Sequence, residues 1–145
     1  MSSTAWRYFV PYQPDYQAAL DALRAKTFTQ GAYLQPWTER GLPPVPPPQT
    51  IDEALQRCGP EGSHSILDIV AFSLIPGPGL ACLVPPGEQM RIYGTTTPTH
   101  EDISDHRFAL VHTLDFGHAR ILTVYDEEQQ PVRLYLEGLT GAEEL

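Results

Sequence analysis

Cysteine is scarce in this chain of 145 residues, with Cys58 and Cys82 its only two. They form one bridge at most, so no disulfide framework holds the fold, and both are expected to be free, buried thiols. The opening residues Met1 to Val10 lack a basic patch followed by a sustained apolar run, so no secretory signal is expected and the cytoplasm is the expected compartment. Long hydrophobic runs are missing as well. The longest uncharged window, 69–87, contains Pro76, Gly77, Pro78, Gly79, Pro85, Pro86 and Gly87, which break any membrane-spanning helix, so no membrane partner is expected.

Catalytic and metal motifs are also lacking. Histidines 100, 106, 112 and 118 recur every six residues. On a helix that spacing turns the chain by about 240° between neighbours. On a strand it separates them by about 20 Å, so they do not share an ion and no metal or other cofactor is expected. Asp102 and His106, four apart, suit a local surface ion pair. Ser63, His64, Ser65 and Asp68 lie close in sequence without the Gly-x-Ser-x-Gly elbow of a hydrolase. The Gly94 to Thr97 stretch before a helix start carries no lysine, which argues against a phosphate site.

What the chain does have is proline, 15 residues of it, together with 11 glycines, which implies many turns and short elements. Trp6 to Val10 alternates as a strand stopped by Pro11. Asp15 caps a helix from Tyr16 to about Thr29, ended by Gly31. Residues 32–49 hold six prolines and form a long proline-rich loop, with Leu42 to Pro48 extended like polyproline and Trp37 and Leu42 pinning the loop to the body. Thr50 and Glu53 make a capping box for a short helix that Gly59 terminates.

Ser65 to Ile75 and Leu80 to Val84 read as two strands of a central hairpin turning at Pro76 to Gly79, with Leu67, Ile69, Phe72, Leu74 and Leu83 buried. A helical turn is expected from Glu88 to Tyr93. Thr99 and Asp102 then cap a helix running to about Leu114, where strand periodicity competes. Ala119 to Tyr125 and Val132 to Glu137 are strands flanking the acidic turn Asp126 to Pro131. This order predicts one α+β domain over residues 1–145. Its antiparallel sheet of about five strands is covered on one face by two to three helices.

The blocks GSHSILDI, at 62–69, and YGTTTPT, at 93–99, together with the Thr50 to Leu55 segment, resemble a group of small stand-alone bacterial proteins of unassigned function. In that group an Ile-Leu-Asp-Ile strand and a Gly-Thr-Thr-x-Pro-Thr turn recur. The resemblance runs from about Trp6 to Gly138, and the longer proline run and the Pro76 to Gly79 turn depart from it. It implies a bacterial origin and a compact single domain, and it carries no catalytic residue.

Charge points to the partner. Residues 1–50 carry four basic and three acidic groups, residues 51–100 two and five, and residues 101–145 three and ten, which leaves +1, −3 and −7. Negative potential around Glu101, Asp102, Asp105, Asp126, Glu127 and Glu128, with Glu143 and Glu144 beyond, repels nucleic acid and suits a basic protein partner. The leading expectation is therefore a protein-binding module, an immunity protein or antitoxin-like inhibitor of a basic effector. It binds through those six residues, with Trp37 on the proline loop as a further contact. Two alternatives stay open. One is a small enzyme around Asp68, His64 and Tyr93, and the other is a subunit or scaffold of a bacterial assembly that docks through the proline arm.

Overall fold

Local hydrogen bonds set the first elements of the chain. In the computed structural model, which describes residues 3–38, 41 and 43–141, strand β1 (Ser3–Pro11) ends at the proline. Helix α1 (Tyr16–Gln30) starts where the Asp15 carboxylate accepts the Ala18 amide, and it stops at Gly31, whose φ of 66° suits a residue without Cβ. Helix α2 (Ile51–Cys58) starts at Thr50, whose hydroxyl accepts the Glu53 amide at 3.1 Å. The Glu53 carboxylate reaches back one residue further than a capping box requires, to the Gln49 amide at 3.0 Å. Between these helices, residues 43–48 form neither helix nor strand. The Arg57 guanidinium holds this stretch by donating to the Pro46 carbonyl at 2.6 Å. Leu42 lies outside the described residues.

Three strands follow the expected order, β3 (Leu80–Leu83), β4 (His118–Tyr125) and β5 (Pro131–Gly141). They join β1 and a three-residue β2 (Ala71–Ser73) in a five-stranded sheet of order β1-β5-β4-β3-β2. The α+β class with one five-stranded sheet is as the sequence implies. Strand direction differs, since β1, β5 and β4 are antiparallel while β4, β3 and β2 are parallel. The expected 65–84 hairpin is therefore replaced by a parallel pair in which Ala71 faces Leu80 and Ser73 faces Cys82. A parallel return usually needs a dozen or more residues. Here β2 is so short that residues 74–79 suffice to retrace it.

Most of the predicted 65–75 strand is a 3-10 turn, Ile66–Asp68. The Ser65 hydroxyl caps it by accepting the Leu67 amide at 3.2 Å, and the Asp68 carboxylate accepts the Ser63 amide at 2.7 Å and the Thr140 hydroxyl. Ile66, Leu67 and Ile69 are buried all the same, which explains an apolar run that is not a strand. Phe72 and Leu83 are half-buried, and Leu74, expected in the core, is 72% exposed on the sheet edge.

Helices cover both faces rather than one. Trp6, Leu20, Leu23, Ile66, Ile121 and Leu136 form the core beneath α1. On the opposite face Leu122, Val124 and Tyr135 pack against Tyr93 of α3 (Pro86–Tyr93) and Ile103 of α4 (His100–Asp105). This double cover buries β4 continuously from Ala119 to Val124. The capping box of α4 forms in both directions, between Thr99 and Asp102. The helix nevertheless ends at Asp105 instead of near Leu114. Phe108 reverses the chain with φ of 58°, and Ala109–Thr113 continues as a 3-10 turn, neither α-helix nor strand.

Gly138 of β5 lies opposite Trp6, and an added Cβ there would meet the indole ring at 2.1 Å. Because the Trp6 ring is buried in the core and packs 5.4 Å from Tyr8, Gly138→Ala is expected to lower stability by about 1–3 kcal/mol. Urea unfolding followed by tryptophan fluorescence measures this, and an unchanged midpoint would mean that the ring moves aside freely.

Candidate functional site

Backbone pairing brings the acidic residues of the last third together. The Tyr125 amide donates to the Pro98 carbonyl at 2.8 Å, and Thr99 bridges to Tyr125, which anchors the start of α4 against the end of β4. Beyond Tyr125 the chain turns tightly, with Asp126 Oδ1 accepting the Glu128 and Gln130 amides at 2.9 Å each and Gln129 at φ of 63°. The result is an open groove of about 570 Å³ between α4 and the β4–β5 turn. Glu101, Asp126 and Glu127 line it, with Arg133 as a countercharge, the His100 ring beside them and Val132, 42% exposed, on its apolar wall.

The other predicted contact residues are placed differently. Asp105 and Glu128 are exposed but do not line the groove. The Asp102 carboxylate accepts the Thr99 amide at 2.9 Å, so its charge serves the cap of α4. His106 meets the Asp102 carbonyl oxygen through Nδ1 at 3.0 Å, which replaces the ion pair expected from their spacing. Trp37 lies across the sheet, with α1 and α2. Its ring packs 5.4 Å from the Arg57 guanidinium and 6.2 Å from Tyr33, which stacks on Phe28. Glu143 and Glu144 lie outside the described residues.

Asp68 and Tyr93 are not brought together. Asp68 ties the 62–68 loop to β5 beside the α1 core, whereas Tyr93 packs in the core on the opposite face. Both cysteines are free. Cys58 is half-buried, donates to the Leu34 carbonyl, and has its thiol pushed up to about 11 by burial, so it stays protonated at neutral pH. Among the described residues no three His, Cys, Asp or Glu side chains gather to hold a metal ion, and no helix is long and apolar enough to cross a membrane.

A second polar cluster was not anticipated. Register aligns Arg7, Glu137, Arg120 and Cys82 in one row across β1, β5, β4 and β3. Glu137 is fully buried and accepts the Val111 amide at 2.7 Å and the Tyr135 hydroxyl. This carboxylate draws residues 109–113 onto the sheet, which accounts for the early end of α4. Arg120 donates Nη1 and Nη2 to the two oxygens of Glu88 at 2.9 and 2.6 Å, Nη1 to Thr113 Oγ1 at 3.0 Å and Nε to the Cys82 carbonyl at 3.4 Å. The Arg120 hydrogen bonds hold the Glu88 carboxyl below its ordinary range. Beside this pair opens a cleft of about 620 Å³, with Arg91, His118 and Leu74 in its walls. The one available signal was a lone charge inside an apolar strand, Arg120 within 119–124 and Glu137 within 134–139.

Burial raises the Glu137 carboxyl above the ordinary range, against the pull of the Tyr135 hydroxyl and the Val111 amide. The native state thus binds this proton more tightly than the unfolded chain does. Its stabilisation is complete below the unfolded value, about 4.3, and fades as pH rises through the elevated folded value. Relative to Glu137→Gln, the natural chain is expected to gain stability between pH 7 and about pH 4.5. Every other titrating group is common to both proteins and cancels, so a constant difference across paired urea unfolding curves would refute the shift.

Comparison with protein-family models, curated proteins and solved structures returned no match to this chain.

Proposed function

We propose that this chain is a protein-binding module of the cytoplasm, acting as an immunity protein or antitoxin-like inhibitor that engages a basic effector through the groove between α4 and the β4–β5 turn. The observation supporting this reading is the convergence of Glu101 from one element and Asp126 and Glu127 from another around one open groove beside exposed Val132. Carboxylates around an apolar wall suit a Lys- or Arg-bearing segment that also carries a hydrophobic side chain. The formal charge of −9 adds long-range attraction for the same partner.

The test is a double charge reversal, Glu101→Lys with Glu127→Lys, measured against the purified partner by stopped-flow association at several salt concentrations. Both residues are exposed, so the variant is expected to fold with nearly unchanged stability. Association of the natural chain slows as salt rises, because screening acts over about 8 Å at physiological ionic strength. The reversed variant associates about tenfold more slowly, with that salt dependence flattened. Binding indifferent to both salt and reversal would leave the groove as a solubilising surface and overturn the proposal.

A further inference from the structure

We infer that the cleft beside the Arg120–Glu88 pair binds a small molecule with one anionic head, a carboxylate or a phosphate, and an apolar body. Its volume of about 620 Å³ is of the size that encloses small ligands. Charge decides the head group. Both Glu88 oxygens are taken by Arg120, so that pair is internally neutral and the carboxylate has little left to offer a cation. Arg91 then supplies the surplus positive charge, because the ion pair it forms with Glu88 is a loose one at 3.9 Å and its side chain is 72% exposed. His118 adds a ring nitrogen to the same cleft. The uncommitted charge of the cleft is positive, so at short range it selects an anion against the −9 of the whole chain.

The remaining walls decide the body. Leu74 is 72% exposed and, with Leu114, faces the cleft, so a ligand that covers them removes apolar surface from water. Arg120 is fixed by four hydrogen bonds, and Thr113, one of its partners, also lines the cleft. The polar floor therefore needs little rearrangement when a head group arrives, which keeps the ordering cost of binding low.

Isothermal titration of the full chain with octanoate, octyl phosphate and neutral octanamide tests this. The two anions are expected to bind and the amide to bind about tenfold more weakly or worse. The tighter of the anions identifies the head group. Arg91→Ala leaves the Arg120–Glu88 pair in place and is expected to weaken the anions about tenfold without affecting the amide, whereas Leu74→Ser weakens all three. Equal binding of octanoate and octanamide, anion binding untouched by Arg91→Ala, or no binding of any probe up to about 10 mM would each overturn the inference. Glu101→Lys with Glu127→Lys lies in the other groove and is expected to leave these titrations unchanged, which keeps this test separate from that of the protein-binding reading.

Discussion

Arg120→Ala is expected to destabilise the fold by about 3–5 kcal/mol in urea unfolding, the largest single effect predicted for this chain. The Arg120 and Glu88 side chains are 9% and 15% exposed, and the substitution strips Glu88 of both its guanidinium donors. A carboxylate left there stays largely desolvated with only the loose Arg91 ion pair at 3.9 Å to compensate it, which costs more than the ion pair with Arg120 itself contributes. A variant in which both charges are replaced by apolar residues of similar volume, Arg120→Met with Glu88→Leu, is therefore expected to be more stable than Arg120→Ala alone. A loss below about 1 kcal/mol for Arg120→Ala would mean that water reaches Glu88 and screens it, as at an exposed pair.

Leu67→Ala comes next, at about 2–5 kcal/mol. Leu67 is fully buried in the 66–68 turn, which packs against both α1 and α2, and its carbonyl accepts the Arg24 guanidinium at 2.9 Å. Truncation leaves a cavity in a place where backbone hydrogen bonds on both sides prevent collapse. Leu74→Ala, seven residues on, removes a side chain that is already mostly in water and is expected to change stability little. Thermal or urea melts of the two variants side by side check the contrast. Equal losses would mean that Leu74 is covered in solution, and near-neutral behaviour of Leu67→Ala would mean that the turn is dispensable to the core.

Those two leucines show where reading the sequence succeeds and where it stops. Both belong to one apolar run, and alternation alone treats them alike. Ser65 and Asp68 distinguish them, because their side chains satisfy backbone amides in a turn and a ladder is no longer needed. The candidate site divides in the same way. Acidity concentrated in residues 101–145 is plain in the composition, but the meeting of Glu101 with Asp126 and Glu127 depends on the Tyr125–Pro98 hydrogen bond. The separation of Trp37 from them depends on which face of the sheet α1 and α2 occupy.

By itself the sequence determined the caps at Asp15, Thr50 and Thr99, the stop at Gly31, strands β1, β3, β4 and β5, and the α+β class. Each of those rests on bonds between residues within about four positions or on a side-chain period of two, which neighbours in the chain specify directly. The tertiary structure alone decided the parallel direction of β2, β3 and β4, the cover on both faces of the sheet, and the pairing of Glu88 with Arg120 across 32 positions. These depend on which apolar faces meet and which buried charges find partners. Such choices lower the free energy only when distant segments exclude water together, and no local pattern records them.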